Sequence, residues 1–151
     1  MLRIGIDFDN TIACYDRSFL EVALMMGLVT HAAESSKANI KTQVLQRPGG
    51  DLDWQRLQGQ VYGKHMLRAE IFPGFLEFLC LTRLRGNEIF IVSHKSEFGH
   101  FDEDQVPLRD QALLWLQASR IFDEENLGLG RENVFFESTR EDKVSRIRDL
   151  A

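Results

Sequence analysis

Residues 1–16 read MLRIGIDFDNTIACYD. An apolar run, Leu2 to Ile6, leads into Asp7 and Asp9, with Asn10 and Thr11 directly after. Leu2–Ile6 has the length and content of a short buried strand. Two carboxylates so close repel each other, and a strand that only fills a core gains nothing from them. Their place at its end suggests that they face a site.

Downstream, IFPGFLEFLCLTRLRGNEIFIVSHKS spans residues 71–96. Pro73 and Gly74 should start a helix whose apolar side is Phe75, Phe78, Leu79 and Leu81, with Gly86 ending it. The Phe-rich stripe from Phe72 to Phe78 reads as core. Glu88 to Val92 is a second buried strand. A helix follows over about Pro107–Ala118, then a third strand, Asn133–Glu137, and a last helix from Glu141. Strands alternating with helices imply βαβ units and a parallel sheet. The expected fold is α/β, a three-layer Rossmann-like parallel sheet with a mainly helical cap insertion after the first strand.

The insertion is placed at 14–70 and the core at 1–13 and 71–151. Within it, Asp16–Leu28 reads as a helix with Phe19, Leu20, Ala23, Leu24 and Gly27 on one side. A polar stretch then ends in Pro48-Gly49-Gly50. Asp51 should cap a helix running to about Leu67, with Trp54, Leu57, Val61 and Tyr62 at helical spacing. Trp54, Tyr62 and Lys64 are candidates for covering the site and choosing its substrate.

Ligands of open parallel sheets bind beyond the carboxyl ends of the strands. Asp7 and Asp9 lie there after strand one, Ser93, His94 and Lys95 after strand two, Ser138 and Thr139 after strand three. Asp7-x-Asp9-x-Thr11, then Ser93, then Lys143 at the start of a late helix, form a set. In DFDNT, IVSHKS and REDKVSRI the chain resembles the haloacid dehalogenase-like superfamily, whose commonest members are phosphatases.

The resemblance implies a Mg²⁺-dependent phosphatase acting on a small phosphorylated metabolite. Asp7 would be the nucleophile and form an aspartyl-phosphate. Asp9 would be general acid and then base, which calls for a pKa above the usual ~3.9 of an aspartate. Thr11, Ser93 and Lys143 would bind the phosphate. Asp7 and the backbone carbonyl of Asp9 would hold Mg²⁺, an ion that prefers hard oxygen ligands. An acid at position 9 favours the phosphatase branch over the dehalogenases.

The family's last metal ligand comes from an acidic loop after a fourth strand, past the helix that carries Lys143. The sequence stops at Ala151, and Asp149, mid-helix, is a poor stand-in. The expectation is therefore a truncated chain, or one that borrows a strand from a partner, with strand one an exposed edge. The alternative is a catalytically silent phosphate-binding or assembly module of the same fold.

The chain has 151 residues and a net charge of −5. That length suits one domain with a small insertion. The acidic balance argues against nucleic acid as a partner, and no apolar run approaches the ~20 residues of a membrane span. A second copy of the chain is a candidate partner. With two cysteines, Cys14 and Cys80, a cytoplasmic location is the simpler reading. His94, Lys95 and His100 read as polar loop, and FGHFDEDQVPLRD as an exposed loop before a helix.

Overall fold

The computed structural model describes residues 1–30, 36–123 and 129–151. In chain order the strands are β1 (Arg3–Ile6), β2 (Ala13–Cys14), β3 (Glu70–Ile71), β4 (Glu88–His94) and β5 (Val134–Glu137). The α-helices are α1 (Asp16–Met25), α2 (Lys37–Leu45), α3 (Gly50–Tyr62), α4 (Phe75–Leu84), α5 (Leu108–Ala118) and α6 (Arg140–Leu150). The fold is α/β with a three-stranded parallel sheet in the order β1-β4-β5. β2 and β3 pair separately. No helix among the described residues is long and apolar enough to cross a membrane.

The chain divides into two compact units: residues 1–14, 71–96 and 113–151, and residues 15–70 with 97–112. In the first, β4 is central, and Ile89 to Val92 are all buried. Its register sets Ile6 beside Ile91 and Ser93 beside Phe136. Parallel pairing therefore brings the carboxyl ends of all three strands to one edge, as the sequence suggests. Phe8 anchors that edge from below. It is fully buried, with its ring edge-on to Trp115 at 5.6 Å and to Phe136 at 5.4 Å.

β1 is the outer strand of the sheet, and no described strand pairs with its far side. This changes the reading of the Phe-rich stripe. Phe75 and Leu79 are buried, but Phe72 and Phe78 are each 41% exposed and Leu81 is 45% exposed. Among the described residues no strand lies beyond β1, and these side chains of α4 are left partly exposed. Phe75 and Phe78 instead line an open groove of about 420 Å³ with Ile4, Ile6, Thr11 and Pro73.

The second unit is mainly helical. Its core includes Phe19 stacked on Trp54 at 5.1 Å, with Val22, Ile40, Val44, Leu57 and Val61 buried. On α1 the buried positions are Ser18, Phe19, Val22 and Ala23, while Leu24 is turned outward. Within the polar stretch lies α2, which the sequence does not advertise. Only Ile40 and Val44 face inward there, too narrow a stripe to register as amphipathic. Ser36 caps it by accepting from the Asn39 N–H at 3.3 Å. α3 ends at Tyr62, short of Leu67, and a 3₁₀ turn, Met66–Arg68, follows.

Residues 97–106 pack against α3. The Gly99 backbone lies so near Gly59 that a Cβ on Gly99 would sit 2.6 Å from the Gly59 Cα. Asp102, read from sequence as part of an exposed loop, is buried. Its carboxylate accepts from the N–H groups of Asp104 (3.3 Å) and Val106 (3.0 Å) and from Gln60 Nε2 (3.4 Å). It organises the loop.

Candidate functional site

The backbone leaves the β conformation at Ile6, just before the first acid. Phe8 turns into the core, and its carbonyl accepts from the N–H groups of Thr11, Ile12 and Ala13. Asn10 takes a left-handed φ of 58° to close this turn, a conformation asparagine tolerates better than most residues. An ideal strand would send Asp7 and Asp9 to one side of the sheet and hold them apart along it. The turn instead delivers each to a different residue at the end of β4.

Asp7 Oδ1 accepts three hydrogen bonds: from Ser93 Oγ at 2.6 Å, from its neighbour's N–H at Phe8 at 2.9 Å, and from Lys143 Nζ at 3.0 Å. Ser93 is buried, so its hydroxyl is fixed. Lys143 is delivered by the first turn of α6, which starts where Thr139 accepts from the Asp142 N–H at 3.0 Å. Burial pushes the Asp7 pKa up. The bonds from Ser93, Lys143 and Phe8, together with the Lys143 charge, outweigh it and hold the group below the ordinary aspartate value. Among the described residues no donor reaches Oδ2 of Asp7. Three donors therefore gather on one oxygen of an ionised carboxylate.

Asp9 has a cation of its own. Lys95 Nζ donates to both its oxygens, at 3.0 and 3.1 Å. Read from sequence as polar loop, Lys95 is only 4% exposed. The Lys95 N–H donates to the Glu137 carbonyl at 2.9 Å, prolonging the β4–β5 ladder past His94. Ser93 and Lys95 therefore share a face by the two-residue period of a strand. That period was the available signal: with the second strand drawn three residues past Val92, Lys95 falls in line with Ser93. His94, on the alternate side, meets the Ser138 carbonyl at 2.9 Å.

The structure thus joins Asp7, Ser93 and Lys143 directly and sets Asp9 with Lys95 one strand period along. Thr11 is exposed in the turn and lines the groove beside β1. No hydrogen bond ties its side chain to the Asp7 cluster among the described residues.

Among the described residues, side chains alone do not make a magnesium cage. Among the described residues no three His, Cys, Asp or Glu side chains converge. Of the four carboxylate oxygens here, Asp7 Oδ1 and both Asp9 oxygens already accept from lysines. An octahedral ion would have to displace an ammonium or rely on Asp7 Oδ2, backbone and water.

No family model matches this chain, and neither a curated protein nor a solved structure does.

Proposed function

We propose that this chain is a phosphohydrolase of the haloacid dehalogenase-like type, with a three-layer Rossmann-like core, that cleaves a small phosphorylated metabolite through Asp7. One observation carries the reading: an aspartate at a parallel-strand terminus with Ser93, Lys143 and a backbone N–H on one oxygen and, among the described residues, no donor on the other. Phosphoryl transfer needs positioning and charge neutralisation more than covalent variety, and this cluster supplies both. Oδ2 of Asp7 attacks phosphorus, and the bond to the ester oxygen breaks. That oxygen takes a proton from solvent, relayed through Asp9. Water then attacks the aspartyl-phosphate at phosphorus and passes its proton through Asp9 back to solvent, releasing phosphate and restoring both carboxylates. Lys95 can retain one Asp9 oxygen while the other meets the leaving group.

The test is phosphate release from 4-nitrophenyl phosphate, with added Mg²⁺ and with chelator. Asp7→Asn should lower the rate by at least about a thousandfold, as loss of a covalent nucleophile does. A mutant rate equal to wild type removes Asp7 from the chemistry.

A second reading is a phosphate-binding module without turnover. The double hold of Lys95 on Asp9 favours it, because an acid with both oxygens engaged is slow to move protons. Such a module binds inorganic phosphate in calorimetry and releases none from any ester.

A further inference from the structure

Among the described residues, Lys143 forms an ion pair with Asp7 and Lys95 forms one with Asp9. The pairs differ in setting. The Lys143 side chain is 22% exposed and can reach a ligand, whereas that of Lys95 is 3% exposed. Lys95 Nζ also lies over the Phe8 ring at 5.2 Å. Taking an ammonium out of water is costly even with a ring face beside it, and a buried ion pair is weak evidence of a stabilising role. Its place beneath a ligand-facing edge asks for another reason.

We propose that Lys95 is a positioning residue that neutralises Asp9 from below, so that the pocket at the end of β4 accepts a phosphate dianion without a divalent cation. This rests on the reading of the site as a phosphate site. With Lys143 answering Asp7 and Lys95 answering Asp9, the four side chains sum to zero charge. A dianion entering beside Asp7 then meets the partly exposed Lys143 ammonium without an unbalanced carboxylate beside it. Without Lys95, Asp9 would repel it at short range in a partly desolvated site, where Coulomb terms are large. Lys95 also fixes both Asp9 oxygens, so its effect reaches the ligand through Asp9 rather than by contact.

The experiment is titration of inorganic phosphate by calorimetry in chelator-containing buffer, on wild type, Asp9→Asn, Lys95→Met and the double variant. Circular dichroism first shows which are folded. Lys95→Met should weaken phosphate binding by roughly tenfold or more, and Asp9→Asn should tighten it by a similar factor. The double variant should return to within about threefold of wild type, since both charges of the pair are gone. A role in folding alone would not give opposite signs that cancel. If Lys95→Met does not fold, Asp9→Asn against the double variant still isolates the lysine, whose loss there should weaken binding roughly tenfold. Equal affinities across the folded variants would overturn the inference while leaving the phosphate site standing. Absence of binding by wild type would overturn the phosphate site itself and this inference with it.

Discussion

Replacing Ser93 with alanine removes one hydroxyl and almost no volume. The residue is buried, so no water can take the place of its Oγ without repacking. The lost bond is short, 2.6 Å, and ends on an ionised acceptor. Hydrogen bonds to charged groups contribute roughly 1.5–3 kcal/mol. Here the Asp7 side chain is 47% exposed, so water on its open side screens the charge and lessens the loss. The expected loss is about 1 kcal/mol at neutral pH.

The pH dependence sharpens this prediction. The native Asp7 pKa is depressed, and the Ser93 bond is the largest influence lowering it. A depressed carboxylate contributes stability that is present above the unfolded-state pKa and lost as pH falls through the folded value. Wild type and Ser93→Ala should therefore differ at pH 7 and converge below the native Asp7 pKa. Urea denaturation read by fluorescence can follow this. Trp54→Phe leaves Trp115, in the unit that holds Asp7, as the reporter. A gap that is as wide at pH 2 as at pH 7 would refute the charge-assisted bond and assign the effect to packing.

Other outcomes follow from the same geometry. Phe8→Ala should cost about 3–5 kcal/mol and Phe8→Leu much less, because the ring fills a closed site between Trp115 and Phe136; urea midpoints measure both, and a loss below 1 kcal/mol would contradict the packing. Gly99→Ala should lower the melting temperature through a loss of about 1–3 kcal/mol, since its Cβ would drive into the Gly59 backbone; an unchanged melt would show that the loop does not rest on α3. Mg²⁺ should bind wild type only weakly, and Lys95→Met, which takes the ammonium away from both Asp9 oxygens, should bind it several-fold more tightly. Calorimetry with MgCl₂ tests that, and tight binding by wild type alone would reverse the account of the donors.

Some of this was legible from residue order. The strand leading into Asp7, the helix–strand alternation and the hydroxyl of Ser93 are local patterns, carried by apolar content and breakers. α2 was not legible, because two inward residues in nine make no readable stripe. The helix α4 misled for a different reason. Its Phe78 and Leu81 satisfy helical periodicity, yet whether an apolar face is covered depends on what lies beyond the sheet edge.

The sequence alone determined which residues could form a parallel sheet and that two acids would stand at its carboxyl edge, because strand length, apolar content and turn chemistry act over a few neighbours. Only the tertiary structure decided how those acids are partnered. Lys143 reaches Asp7 from a helix far along the chain, and Lys95 lies buried under Asp9. Burial and ion pairing are set by what packs around a residue, which in this chain is brought together by sheet register across more than eighty intervening residues.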